Sequence, residues 1–450
     1  AGKALAEWIV EGEPPLDLFA LDATRFGDFA RQSYTVATAR DAYRRYYAIR
    51  FPKDHSSAGR PLKRAAIYDK LASKGAQFDA VFGWERPCWY AENNTERLTV
   101  GAFNRGPSFD AIGRECRGLR RGVGIADLTT SLAKHVIEGP EAEDALDRLI
   151  ASRLPARPGS IVDAVMLNRR GKVNGLFTLA RIGHHGFYLL GAAEAERYHQ
   201  RWFEQHLPAE GVIYAPVSVR YAVLGIAGPK ARILLTRVTD EDVSDKMLPA
   251  DTTTEIEIAG APAQVMHVSF TGDLGYQIHL PMEYQATVYE ALYIAGQDLG
   301  LVNAGAFALK SLRLEAGFHR FPGDHAADLA PREAGLDELI QGNKGGFIGC
   351  DAMMKRRNED ALRKCVLIEI EADDADAIGG EPVYRNNKLI GSVIAGDYGH
   401  HAQMSLARAV VPVDFAAPGT VLAIDILGNR HPATVRQHPP FGPGDLPLSI

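Results

Sequence analysis

Ser269-Phe270-Thr271-Gly272-Asp273-Leu274-Gly275-Tyr276-Gln277-Ile278-His279-Leu280 decides the fold. It reads as strand, tight turn, strand. Gly272 and Gly275 bracket a polar bend, and Gln277 projects from the returning strand. Working downstream, Ala306–Ala316 has helical spacing and ends at Gly317, a natural helix terminator. Working upstream, Leu224-Gly225-Ile226-Ala227-Gly228-Pro229 is an apolar strand running into a Gly-Pro turn and a helix. Val136-Ile137-Glu138-Gly139-Pro140 does the same 89 residues earlier. Proline suits a first helical turn, where its missing N–H would be unpaired anyway. The pattern predicts two related βαβ-type modules inside one larger α+β domain.

Further strands are expected at Ile161–Asn168, Leu176–Ile182, Phe187–Gly191, Ala263–Phe270 and Tyr276–Leu280, with helices at Glu194–His206 and Glu283–Leu299. Beyond about residue 360 short strands alternate with turns: Val366–Ile370, Pro382–Arg385, Lys388–Ala395, Ala407–Val413 and Val421–Ile426. Arg385-Asn386-Asn387-Lys388 is a hairpin signal between two of them. A small antiparallel β-barrel fits. At the other end, Ala4, Leu5, Trp8 and Ile9 share one helical face, and Glu11-Gly12-Glu13-Pro14-Pro15 stops that helix. A chain opening inside such a helix is expected to be the trailing part of something larger, or a subunit docking on a partner. A second helix is expected over Asp22–Tyr47 and a short one over Ala65–Ser73. The resulting division is 1–92 (linker), 93–355 (central domain) and 360–450 (barrel).

The 450 residues carry a formal charge of −6, which excludes the basic face of a general nucleic-acid binder. Four scattered cysteines without a C-x-x-C pair argue against a disulfide framework or a cysteine zinc site, and no apolar run is long enough to cross a membrane. The plain reading is a cytoplasmic protein. No Walker A loop, G-x-S-x-G elbow or H-E-x-x-H helix occurs. Gly122-Val123-Gly124 lacks the third glycine and the preceding strand of a dinucleotide site. His184-His185 and His400-His401 are adjacent pairs whose side chains diverge on a strand, so no metal site is expected.

FTGDLGYQIHLP, NAGAFALKSLRLEAG, FIGCDAM and GVGIADLTT followed by VIEGP resemble the glycine-cleavage T-protein family of folate-binding aminomethyltransferases. AEWIVEGEPPLDLFALDATRFG, GRPLKRAAIYDKLASKGAQF and FGWERPCWY resemble the segment joining the flavin domain to the folate domain in dimethylglycine and sarcosine dehydrogenases. The resemblance implies a T-protein-like fold. It also implies that a flavin domain, absent from this chain, oxidises a small methylated amine. FAD would then belong to a missing domain or partner subunit, and the one-carbon unit would pass to tetrahydrofolate here. It places the folate site at Leu176, Phe270, Asp273, Tyr276, Gln277 and Arg313, without naming a catalytic residue.

Three positions depart from the family. Leu176 stands where an acidic residue assists chemistry at folate N5 and N10, and leucine cannot transfer a proton. Gln277 replaces a glutamate that pairs with the pterin amidine edge, a loss on the order of 2 kcal/mol. Phe270 lacks the hydroxyl of the usual tyrosine. These changes admit two alternatives. One is a non-catalytic scaffold, resembling the regulatory subunit of pyruvate dehydrogenase phosphatase. The other is folate-dependent methyl transfer from a sulfonium or aryl-ether donor. The sulfur-relay string of T-protein-like tRNA-modification factors is absent; Lys344-Gly345-Gly346-Phe347 occupies its place.

Overall fold

The computed structural model describes residues 2–441 except 15, 17, 24–25, 50, 53, 55, 98–101, 322–328 and 358–361. In chain order, a linker region holds α1 (Gly2–Glu11), α2 (Gln32–Arg44), α3 (Tyr68–Ser73), β1 (Ala76–Val81) and β2 (Trp84–Tyr90). Next come α4 (Phe109–Arg121), β3 (Val123–Asp127), β4 (Leu132–Glu138), α5 (Ala142–Leu149), β5 (Ile161–Leu167), β6 (Val173–Arg181), β7 (Gly186–Ala192), α6 (Glu196–His206) and β8 (Ile213–Pro216). The second module holds β9 (Tyr221–Ala227), α7 (Ala231–Thr236), β10 (Thr252–Ile258), β11 (Ala261–His267), β12 (Gly275–Pro281), α8 (Gln285–Ala295) and β13 (Leu301–Asn303). Then follow α9 (Ala306–Ala316), α10 (Pro331–Ala334) and α11 (Cys350–Arg357). The barrel consists of β14 (Arg363–Ile370), β15 (Pro382–Arg385), β16 (Lys388–Gly399), β17 (Met404–Pro412), β18 (Val421–Ile426) and β19 (Asn429–Val435).

The internal repeat is present and larger than two strand–helix–strand units. One sheet has the order β5-β6-β7-β4-β8, and the other β10-β11-β12-β9-β3-β13. Strand β4 leads through α5 to the far edge, and β5, β6 and β7 return as an antiparallel meander. Strand β9 does the same through α7 and β10 to β12. Each helix therefore spans its sheet to an antiparallel strand rather than joining parallel neighbours; among the described strands of these two sheets, β13 and β3 are the parallel pair. The two Gly-Pro turns share a conformation, with φ of 125° at Gly139 and 124° at Gly228. A Cβ there would sit 2.3 Å from the Gly211 carbonyl oxygen and 2.5 Å from that of Leu119, so both turns require glycine.

Each sheet buries its outer face under its own helices: Phe177, Leu179 and Leu189 under α5 and α6, and Leu224, Ile226 and Ile278 under α7 and α8. The inner faces meet each other. Ile161, Ala180, Tyr188 and Leu190 of the first sheet share a cluster with Met266 and Val268 of the second. Edge strands β5 and β10 are stitched together, Ile161 N–H to Asp251 C=O at 2.9 Å and Thr253 N–H to Gly159 C=O at 2.8 Å.

The C-terminal strands close into a six-stranded antiparallel barrel, β14-β17-β16-β15-β18-β19. Asn386 and Asn387 both take positive φ, 46° and 63°, as a two-residue hairpin demands. Helix α9 docks on this barrel. Ser311 Oγ donates to the Tyr398 carbonyl at 2.8 Å, and Glu315 Oε1 accepts the N–H groups of His401 (2.8 Å) and Ala402 (3.2 Å).

The linker differs most from expectation. The helix expected over Asp22–Tyr47 begins only at Gln32 and ends at Arg44, because Gly27 and Asp28 sit in a turn. Neither α1 nor α2 buries a residue. Leu5, Ile9 and Val10 of the apolar α1 face stand exposed.

Candidate functional site between the two sheets

Strand register assigns the inner-face side chains. Across the first sheet, Asp163, Thr178, Leu190 and Lys134 form one row, and Ile161, Ala180, Tyr188 and Val136 form the next. Across the second, Met266, Gln277, Gly225 and Ala126 form one row, with Gln264, His279 and Val223 beside it. Polar groups therefore gather where two apolar sheet faces would otherwise meet.

These groups are organised. His279 Nδ1 lies 3.1 Å from the Tyr188 hydroxyl and Nε2 lies 3.3 Å from Gln277 Oε1. An amide oxygen only accepts, so with the amide in this orientation Nε2 carries the proton and Tyr188 donates to Nδ1. Burial pushes His279 down to about 3, and the nearby Lys134 adds to this, so the ring is neutral at physiological pH. The engaged Gln277 oxygen leaves the amide N–H₂ as the group Gln277 offers to the interior. Lys134 is fully buried and donates to the carbonyls of Thr129 (2.9 Å) and Leu132 (3.2 Å). Burial pushes it down to about 8 against the pull of Glu196 and Asp127.

The six expected site residues separate into four groups. Phe270 and Gln277 come together: a Cβ on Gly225, cross-strand partner of Gln277, would touch the Phe270 ring at 2.8 Å. Leu176 lies on β6 opposite Val165, packed with Leu167, Phe321 and Leu329. Tyr276 points to the other face of β12, into the core beneath α7 and α8. Its ring centroid is 4.7 Å from that of His267, and its hydroxyl has no hydrogen-bond partner among the described residues. Burial raises it to about 12. Asp273 and Arg313 sit toward the barrel. Burial raises the Asp273 carboxyl, and its ion pair with Arg120 opposes this. Arg120 also reaches Glu315 at 3.4 Å. Arg313 donates to the Phe318 carbonyl at 2.9 Å.

Sequence reading missed Asp163, Lys134, Tyr188 and His279. For Asp163 the cause is a register shift between Met166 and Leu167 in the β5–β6 hairpin, which sets Asp163 opposite Thr178, one row from Leu176, where an unshifted hairpin would pair it with Phe177.

The residues fit a reduced pterin. The Phe270 ring offers an apolar wall, and the Gln277 amide N–H₂ offers a donor to a heterocyclic carbonyl. Among the described residues the buried Asn174 Nδ2 has no hydrogen-bond partner, while its Oδ1 accepts from the Tyr198 hydroxyl of α6. Among the described residues no cluster could hold a metal, and no helix is long and apolar enough to cross a membrane. The Gly122-Val123-Gly124 string leads from the end of α4 into the first residues of β3, the reverse order of a dinucleotide-binding turn.

Comparison with known proteins follows this geometry. Residues 67–344 match the GCVT N-terminal domain, 363–441 the glycine cleavage T-protein C-terminal barrel domain, and 11–65 the FAD dependent oxidoreductase central domain. The chain is 34% identical to mitochondrial dimethylglycine dehydrogenase of Mus musculus, over 97% of this chain and 50% of that protein. It is 31% identical to 4-methylaminobutanoate oxidase (formaldehyde-forming) of Paenarthrobacter nicotinovorans, over 98% of this chain and 54% of that one. It thus spans about half the length of the curated relatives it matches. The glycine cleavage system aminomethyltransferase T of Bartonella henselae shares the fold, with a TM-score of 0.71 and 22% identity over 84% of this chain and 98% of that one. The chain belongs to the glycine-cleavage T-protein (GCVT) family, with an FAD-dependent oxidoreductase central segment ahead of its GCVT domains.

Proposed function

We propose that this chain is the folate-handling half of a flavin-dependent N-demethylating dehydrogenase of the dimethylglycine or sarcosine type. It would receive the one-carbon unit that a flavin-bearing domain or subunit releases from a methylated amine. One observation carries the reading: a polar interior of Lys134, Tyr188, His279 and Gln277 lies between the sheets of a chain whose residues 11–65 match an oxidoreductase central domain. Exposed Leu5, Ile9, Val10, Tyr43, Tyr46 and Tyr47 in the same region support a partner of that kind.

Tetrahydrofolate, when bound, supplies the amine nitrogens that accept the one-carbon unit. The protein's part is positioning. Phe270 covers one wall. Tyr188 fixes the His279 tautomer, His279 holds the Gln277 oxygen, and Gln277 then presents N–H donors instead of the acceptors a glutamate would present. Lys134, held by two carbonyls, keeps the centre positive enough to favour a neutral His279.

The packing of Leu176 among Leu167, Phe321 and Leu329 favours a second reading, a scaffold with a degenerate pocket. Anaerobic calorimetric titration with tetrahydrofolate and with methyltetrahydrofolate separates the two. Micromolar one-to-one binding of tetrahydrofolate supports the folate role, tighter binding of methyltetrahydrofolate points to methyl transfer, and no heat with either supports the scaffold. If the scaffold derives from a folate site, Leu176→Asp with Gln277→Glu restores binding.

A further inference from the structure

The acid that this family keeps on β6 is leucine here, yet the same sheet face holds a carboxyl one row away. Register pairs Asp163 with Thr178 and Val165 with Leu176, so Asp163 is the diagonal cross-strand neighbour of Leu176. Diagonal neighbours stand about 7 Å apart, a gap that an aspartate side chain partly spans. Ile161 and Val165 flank Asp163 on β5, Thr178 faces it from β6, and Asp251 approaches from the loop entering β10, with His267 beyond it. Among the described residues no donor hydrogen-bonds the Asp163 carboxyl. The residue keeps some solvent contact although protein surrounds its carboxyl.

We propose that Asp163 is the proton-handling carboxyl of this site, displaced one strand from the position Leu176 has vacated. The assignment rests on the folate reading above and names the residue that performs its proton transfer. A carboxyl in this setting is held protonated: burial pushes Asp163 well above the usual carboxylate range, and the like charge of Asp251 adds to it. The step it serves is addition of a secondary amine N–H of the reduced pteridine to a formaldehyde-level carbon. A C–N bond forms while the C=O π pair moves to oxygen. Asp163 gives its proton to that oxygen, and its carboxylate takes the proton shed by the attacking nitrogen. The exchange leaves no net change in protons or electrons. Thr178, directly opposite, is the nearest side-chain hydroxyl on the facing strand.

The test compares wild type, Asp163→Asn and the double variant Asp163→Asn with Leu176→Asp. Three readouts are taken: calorimetric affinity for tetrahydrofolate, single-turnover adduct formation with formaldehyde, and the infrared carboxylic-acid band at pH 7. Buried Glu115, pushed up to about 8, also contributes an acid band, so the assignment expects a carboxylic-acid band in the wild-type minus Asp163→Asn difference spectrum, and tetrahydrofolate affinity within about threefold. It expects a rate lower by on the order of 100-fold, the usual contribution of one positioned acid–base group. Aspartate at 176 should return at least a tenth of that loss. Wild-type rates in Asp163→Asn, or no acid band in that difference spectrum, overturn the assignment while leaving folate binding intact. Absence of tetrahydrofolate binding in the wild type overturns the folate reading itself.

Discussion

Glu315 ties the central domain to the barrel, and its removal gives a quantitative test of that account. The side chain is fully buried at the end of α9. Its Oε1 accepts two backbone N–H groups from the β16–β17 turn, His401 at 2.8 Å and Ala402 at 3.2 Å. Its Oε2 faces Arg120 at 3.4 Å. Glu315→Ala strands two part-buried backbone donors, each costing about 1–3 kcal/mol, and leaves Arg120 with Asp273 as its remaining carboxylate. The sum is about 4 kcal/mol. Glu315→Gln keeps an acceptor oxygen in place and should cost about 2 kcal/mol. Urea denaturation gives the global values. Hydrogen exchange at the His401 and Ala402 amides gives the local one, where about 4 kcal/mol corresponds to roughly 1,000-fold faster opening. Stability of Glu315→Ala within about 1 kcal/mol of wild type, with both amides still protected, would refute the clamp.

Two further variants probe the interior. Lys134 has a folded-state value near 8 and an ordinary value of 10.5. Between them the unfolded chain binds the extra proton, so stability rises with pH across that window, by on the order of 3 kcal/mol. Below it the cost of the buried charge is constant. Lys134→Met should abolish the rise in a pH series of urea midpoints; an unchanged slope would assign it to other groups. Tyr276→Phe removes a hydroxyl that has no hydrogen-bond partner among the described residues, on the face turned away from Gln277. It should leave tetrahydrofolate affinity unchanged and stability equal or higher by about 1 kcal/mol, and a tenfold loss of affinity by calorimetry would contradict that placement.

Most of the fold was legible because alternation and turn chemistry agree locally. The helix Ala306–Ala316 and the strands Pro382–Arg385 and Val421–Ile426 have the expected bounds. The barrel's sixth strand escaped notice because Asn429-Arg430-His431-Pro432 carries poor strand formers; only Ala433 and Val435 of β19 enter the barrel core. The helix expected over Asp22–Tyr47 was overextended because apolar spacing alone does not mark its start, and a turn closed by Ala30 N–H to Gly27 C=O at 3.1 Å delays it to Gln32. The site was harder. Position-by-position resemblance placed Gln277 and Phe270 on the inner face but put Tyr276 beside them, although adjacent strand residues must diverge. Asp163 and Lys134 were invisible to motif reading because they join the site through cross-strand pairing, with Lys134 three strands from Asp163.

The central claim is that folate occupies the space between the two inner sheet faces. Its most direct measurement is the structure of this chain crystallised with 5-formyltetrahydrofolate, a reduced folate stable to air. The account predicts the pterin ring against Phe270, with the Gln277 amide within hydrogen-bonding distance of the ring and Asp163 facing it from β5. A pterin seated elsewhere, such as the cleft of about 250 Å³ lined by Trp89, Arg105, Phe307 and His400, would contradict it.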